Sequence, residues 1–521
     1  MTIGTKHRVL ARVSGFAAIC VICVFVGAEP PQYGGHLRVG YGIEPTSLDA
    51  VLGRSGGDAY YWRQIYDQLV DADVDLQPRL SSSLATSWEI STDPDAITFH
   101  LREGVTFHDG TPFDAQAVKF NIERVLDPRT KATPRASMTV IESVDVVAEH
   151  IVRFNLKRPW GAGLGMLADR GGVMNSPTGV AALGRDYGWN PSGTGPFRID
   201  KVVTGTYVHL VRNERYWATD EHGNSLPYLD EVTIRVIRDQ TVLSAALRTG
   251  EIDVAYLPYK DVSAFLRDDR FQIETMEGGG IALLLAFDVA KPPLDNVNLR
   301  LAIAHAVNPE VINRAIFFNR VMIADSGMWP VGSWVHDPDV PRPYYDPEKA
   351  KQYMREGGKP DGFEFTTVTN NSPINVPAAE IVRAMLKKIG ITMNIEVLST
   401  GPATERFFHG RVYPMYLTGW SRYPEPDWIA SLAFKSDGYY NAGNLPRPDI
   451  DRLVETGASL YDLDARKRIY RQINQTVLGE AWFVPLLYGI NYAAAPKKIR
   501  NLDQLMGWDG KMSLRKIWIK Q

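Results

Sequence analysis

The sequence predicts a mixed α/β fold divided over more than one domain, on three observations. The chain has 521 residues, too many for one ordinary core. The stretch Phe363 to Val397 alternates, turns helical in period, and alternates again. The stretch Ile97 to Val125 reads as a hairpin followed by an amphipathic helix.

The first 28 residues read as a secretory signal. Lys6, Arg8 and Arg12 supply its positive start. Val13 to Val26 is an apolar run too short for a convincing membrane span. Val26-Gly27-Ala28 offers small residues for cleavage before Glu29. Both cysteines, Cys20 and Cys23, lie inside the apolar run, so cleavage leaves a chain with neither disulfide nor thiolate site. Ile19 and Ile22 precede them, where lipid attachment favours a small residue, so a soluble export product is expected. Losing Lys6, Arg8 and Arg12, with no acid, takes the net charge from −3 to −6. That balance gives no basic field for nucleic acid.

After Gly34-Gly35, His36 to Tyr41 reads as a short strand ending in a loop at Glu44-Pro45-Thr46. Ile97, Phe99 and Leu101 alternate with polar residues; Gly104 turns the chain, Val105 and Phe107 continue it, and Asp109-Gly110 turns it again. Asp114 is placed to cap a helix whose face is Val118, Ile122 and Val125. Phe197 to Val203 is a strand after the tight turn Gly193 to Pro196. Phe363, Phe365 and Thr367 form a strand, Ala378, Val382, Met385 and Ile389 share a helical face, and Gly390 closes that helix. Ile391, Met393, Ile395 and Val397 then form a second strand, so a right-handed βαβ unit with parallel pairing is expected. Ile469, Ile473 and Val477, with Asp464 near the start, mark a further helix.

Catalytic motifs fail on context. Gly53-Arg54-Ser55-Gly56-Gly57 fits G-x-S-x-G, but the residues before it do not make the buried strand that a nucleophile elbow needs. Gly193 to Phe197 lacks the P-loop lysine and the full dinucleotide fingerprint. His100 and His108 flank a turn and could meet, but two histidines alone are a weak metal claim. No catalytic residue, metal site or cofactor is therefore expected.

Several segments in order resemble the peptide/nickel/opine branch of extracytoplasmic solute-binding proteins, family 5. They are Gly35 to Gly40 with Glu44 to Asp49, Leu84 to Trp88, Thr98 to Phe113, Gly193 to Phe197, Leu226 to Asp230, Leu301 to Val307, Tyr345 to Ala350 and Gly419-Trp420. The resemblance implies a bilobed, clamshell-like α/β fold with mixed parallel and antiparallel sheets and an extra inserted lobe. A discontinuous first lobe would comprise residues 29–73, 192–285 and 481–521. The inserted lobe would span 74–191 and the second binding lobe 286–480. The function so implied is a periplasmic receptor of an ABC importer. It would be a monomer and not an enzyme, holding a peptide-like or opine-like solute in the interlobe cleft for a membrane permease. The alternatives are an exported hydrolase or a ligand sensor without transport.

The same resemblance points to Trp420, Arg422 and Tyr423 on one wall of the cleft, and to Tyr41 and Glu44 on the other. In peptide-binding relatives the position matching Arg422 carries an aspartate that holds the peptide α-amino group. The charge is reversed here, which favours a carboxylate or phosphate. Against that, Arg422 could pair with Glu425 or point to solvent. Trp420 and Tyr423 could offer flat apolar walls or simply pack between lobes. Glu44 would suit a cation or hydroxyls, so a zwitterion or polyol would reconcile it with Arg422.

Overall fold

The computed structural model describes residues 29–72, 80–441, 443, 445–507 and 510–521. The expected signal segment lies outside them. Residues 32–521 form one compact unit.

Fifteen strands carry the architecture: β1 (His36–Tyr41), β2 (Ala85–Thr92), β3 (Asp95–Leu101), β4 (Ile141–Ala148), β5 (Ile151–Leu156), β6 (Phe197–Val203), β7 (Tyr207–Arg212), β8 (Glu231–Val236), β9 (Val254–Tyr256), β10 (Phe271–Phe287), β11 (Met322–Ile323), β12 (Phe363–Asn370), β13 (Ile391–Leu398), β14 (Met415–Ser421) and β15 (Phe483–Pro496). The large sheet runs β13-β12-β14-β10-β15-β9-β1-β8-β7-β6, with β11 paired to β15 off this path. It is mixed: β1 lies parallel to β8 and β9, β12 parallel to β13 and β14, and β10 antiparallel to β14 and β15. A separate antiparallel sheet has the order β2-β3-β5-β4.

Four groups of buried side chains correspond to these parts. Leu37, Val39, Trp62, Val208, Leu210, Val232 and Ile234 pack under the β1-β8-β7 end. Phe99, Phe107, Phe113, Val118, Ile122 and Phe154 fill the core beneath the four-stranded sheet. At the β12-β14-β10 end, alternation splits β10 between two faces. Leu283 and Leu285 join Phe365, Val382 and Ile391 on one side, while Ile281 and Leu284 join Trp329, Phe407 and Tyr470 on the other. The long strands β10 and β15 pass from one end of the sheet to the other.

The helix Ala115–Leu126 starts where Asp114 accepts a hydrogen bond from the Ala117 N–H at 2.8 Å. The βαβ unit forms as expected: β12, the helix Asn375–Lys387, and β13 parallel to β12, with Gly390 at φ +85°. The late helix is Leu463–Gly479, with Asp464 in its first turn as expected and Asp462 as its cap, accepting from Ala465 N–H. The expected hairpin differs. β3 pairs with β2, through the turn at Asp93-Pro94, and Val105 and Phe107 form no strand. They belong to a tight loop in which Phe107 N–H donates to Thr111 and Phe113 N–H to Val105, so their side chains enter the core from a loop.

Candidate functional site

The site is built around three consecutive glycines. Gly278, Gly279 and Gly280 interrupt β10, and the pairing with β15 shifts register between Glu277 and Ile281. Gly278 (φ +69°) and Gly280 (φ +119°) occupy backbone that side chains disfavour. A Cβ at Gly278 would stand 1.9 Å from the Val331 carbonyl oxygen, and one at Gly280 2.6 Å from that of Trp420. The glycine run is therefore a bulge on which neighbouring backbone closes.

Strand β14 delivers Trp420 and Ser421 to this bulge, opposite Ile281 and Gly280. Arg422 follows and is only 4% exposed. Its Nη1 donates to the Gly278 carbonyl at 3.4 Å and its Nη2 to the Gly332 carbonyl at 2.5 Å. It does not point to solvent, and the Glu425 carboxylate is held by Arg466. Trp420 is half-buried and meets Tyr440 edge-to-face at 5.3 Å and Phe483 at 5.7 Å. Tyr423 stacks on Trp428 at 5.5 Å and packs against both the inserted core and the β10-β14 core.

The facing wall grows from β1. Tyr41 is buried and stacks on Tyr60 at 4.1 Å, with Tyr61 and Tyr256 at its edges. The Tyr60 and Tyr256 hydroxyls and the Asn491 amide all donate to the Gly510 carbonyl, at 3.3, 3.3 and 3.2 Å. A Cβ on Gly279 would lie 2.9 Å from the Asn491 amide nitrogen. Residues of β14 on one side of β10 and of β15, β9 and β1 on the other thus converge on the glycine bulge. Glu44 does not join them: its carboxylate pairs with Arg238 at 2.5 Å, beside Gly205. Tyr60, Tyr256, Asn491 and Tyr440 were not anticipated from sequence; the Gly278–Gly280 run was the signal that could have found their meeting point.

The walls also meet at a lip. Arg170 donates to the Gly53 and Ser55 carbonyls and so fixes the loop carrying exposed Arg54 and Gly56. A Cβ on Gly56 would fall 2.5 Å from Ser421 Oγ. Burial raises the pKa of the Tyr440 hydroxyl, and the Arg170 and Arg54 charges oppose it. The lip is thus cationic beside an aromatic wall. Ser55 here is a turn residue: its Oγ accepts from Gly57 N–H at 3.0 Å and caps a 3-10 turn. His100 and His108 do not form a pair. His108 accepts from Gly193 N–H and contacts the Gly195 carbonyl, with burial pushing its pKa down to about 4, while His100 lies 3.5 Å from Glu89.

Behind Tyr423 lies a buried charge cluster. Arg466, 2% exposed, binds both oxygens of Glu425 and donates to the Gly457 and Gly161 carbonyls at 2.8 and 3.2 Å. Burial, and then the Glu425 charge, push the Asp427 carboxyl up to about 7. Burial raises the Glu425 carboxyl too, and the Arg466 charge opposes that rise.

Comparison with known proteins agrees with this architecture. The profile described as bacterial extracellular solute-binding proteins, family 5 Middle, matches residues 79–441. The glutathione-binding protein GsiB of Salmonella paratyphi A is 27% identical over 473 residues, covering 89% of this chain and 90% of its own. The GsiB of Shigella flexneri is 28% identical over 482 residues, covering 90% and 91%. The periplasmic binding protein DppA from Helicobacter pylori, solved with the peptide STSA, superposes with a TM-score of 0.83 at 25% identity, over 94% of this chain and 99% of that one. AgaA from A. tumefaciens, solved with agropinic acid, shares the fold with a TM-score of 0.81 at 23% identity, over 94% and 99%. With a profile match that spans most of the chain and the same fold from end to end, this protein belongs to the bacterial extracellular solute-binding proteins, family 5.

Proposed function

We propose that the protein binds a peptide-sized solute carrying carboxylates between two lobes, outside the cytoplasmic membrane, and presents it as a monomer to an ABC permease. The lobes are 29–73 with 192–285 and 481–521 on one side and 286–480 on the other, with 74–191 inserted. The core around Leu37, Val39 and Val232 and the core around Phe99, Val118 and Ile122 support the first and inserted lobes, while Ile281 to Leu285 and Trp482 to Tyr488 pack with the second lobe's cores. Export with cleavage after Ala28 fits family membership, and among the described residues no helix is long and apolar enough to cross a membrane.

The observation that carries this reading is the convergence of two walls, built on different cores, at a glycine bulge where the β10-β15 ladder breaks. A broken ladder is a natural hinge, and a solute touching both walls favours the closed state by its differential affinity. Arg422 behind the bulge, with Arg54 and Arg170 at the lip, sets the charge preference towards anions. GsiB, by name, binds glutathione, a tripeptide with two carboxylates, and this chain's cationic lip suits that chemistry.

A thermal-shift screen of the chain from Glu29, refolded to strip bound solute, tests this. Glutathione, acidic tripeptides and opines are expected to raise the melting temperature in a concentration-dependent way, and neutral dipeptides to do so less. At one hundred times Kd, binding contributes about 2.7 kcal/mol. A larger shift from neutral peptides would overturn the charge preference; no shift across the panel would overturn capture of this solute class.

A further inference from the structure

The outer face of the β1-β8-β7 sheet holds a cluster that the solute site does not use. Leu37, Val39, Val232, Ile234, Val208 and Leu210 point into the core. The alternate residues His36, Glu231, Thr233 and His209 therefore share the opposite face. The register sets His36 beside Glu231 and His209 beside Thr233. His36 Nδ1 lies 3.6 Å from Glu231 Oε2, and His209 Nε2 lies 3.9 Å from the same oxygen. One donor atom from each of the three residues falls within 4.8 Å of the others. Asp200, at the register shift in β6, brings Oδ2 to 3.9 Å from His209 Nε2.

The other nitrogen of each ring is held. His36 Nε2 and His209 Nδ1 lie 2.8 and 2.9 Å from Thr233 Oγ1. A hydroxyl oxygen accepts two hydrogen bonds. With both rings donating to Thr233, the lone pairs of His36 Nδ1 and His209 Nε2 face Glu231. This is the outer support that metal-binding histidines use to fix ring orientation and tautomer. The nearby Arg38 guanidinium is occupied by Asp253, through bonds of 2.9 and 3.0 Å, so its charge is compensated.

We propose that His36, His209 and Glu231, with Asp200 as a fourth ligand, bind a divalent first-row transition cation of the Zn²⁺, Ni²⁺ or Cu²⁺ class. Imidazole with carboxylate is the donor set these ions favour. Tetrahedral bonds of about 2.0–2.1 Å place donors roughly 3.4 Å apart. With the rings held by Thr233, small adjustments of the exposed His36 and Glu231 side chains, 42% and 46% exposed, bring the donors inward. The bound ion ties β1 to β7 and β8, which follow it far along the chain.

The test uses the tag-free chain from Glu29, stripped with a chelator and titrated with Zn²⁺ by calorimetry. One equivalent is expected to bind with micromolar or tighter affinity and to raise the melting temperature. The double variant His36→Gln/His209→Gln is expected to lose that equivalent while keeping its fold, because both residues lie on an outer face. Thr233→Val is expected to weaken binding about 10–100-fold by releasing the rings. Absence of uptake at 100 μM-scale Zn²⁺, or one equivalent retained by the double variant, would overturn the assignment. Neither result bears on solute capture, which involves the far end of β1, at Tyr41, and the β10 glycine bulge.

Discussion

Arg466→Met is expected to cost about 3–5 kcal/mol of stability at pH 7, the range for removing one partner from a buried ion pair. Arg466 is the cation paired with Glu425, and it also donates to the Gly457 and Gly161 carbonyls and the Tyr470 hydroxyl. Without it Glu425 is a buried carboxylate with no counter-charge. The sign of the pH dependence follows. Asp427 already has a folded pKa near 7, above the ordinary carboxylate value. The folded chain therefore keeps a proton that the unfolded chain releases between about pH 4 and 7, and stability falls as pH rises through that window. In Arg466→Met, Glu425 behaves the same way, so the loss is larger at pH 7 than at pH 5. Melting midpoints of both proteins at the two pH values check this. Adding Glu425→Gln to Arg466→Met should recover part of the loss. Equal losses at both pH values would show that packing against Trp334 and Tyr470, not charge, is what Arg466 supplies.

The second large effect is expected at Arg422, and it rests on the proposed solute class. Arg422→Met removes a buried cation and two hydrogen bonds to the carbonyls that flank the bulge. Glutathione affinity should fall by at least tenfold, and the preference for acidic over neutral peptides should disappear. Arg422→Lys separates charge from geometry. Lysine keeps the charge but cannot reproduce the planar fork, so the acidic preference should survive while the melting temperature drops. Calorimetric titration of both variants with glutathione and a neutral tripeptide gives the comparison. An unchanged acidic preference in Arg422→Met would mean that Arg422 only holds the bulge and that the lip arginines set the charge.

Legibility in the sequence follows the range of the interactions. The βαβ unit was readable because its periodicity and Gly390 are local, and Asp114 because a cap acts within three residues. The β2-β3 hairpin was misassigned because Val105 and Phe107 alternate like a strand while serving a loop that enters the core. Trp420, Arg422 and Tyr423 came from family position, and the structure brings them to one place. Tyr60, Tyr256 and Asn491 were invisible because they join through the Gly510 carbonyl, across hundreds of residues for the two tyrosines. Glu44 looked like a free charge at a loop, but its partner Arg238 is 194 residues away. The same holds for His36 and His209, which only the strand register sets side by side.

Closure of one lobe on the other can be trapped directly. The chain from Glu29 contains no cysteine, so Gly56→Cys/Ser421→Cys would carry a single pair. A Cβ at position 56 would lie 3.5 Å from that of Ser421, within the range a disulfide spans. The measurement is uptake of the solute with the largest thermal shift, by the stripped double variant, oxidised and then reduced. The oxidised protein is expected to take up no solute, reduction to restore uptake, and oxidation after loading to trap the solute inside. Equal uptake by the oxidised and reduced forms would contradict capture by lobe closure.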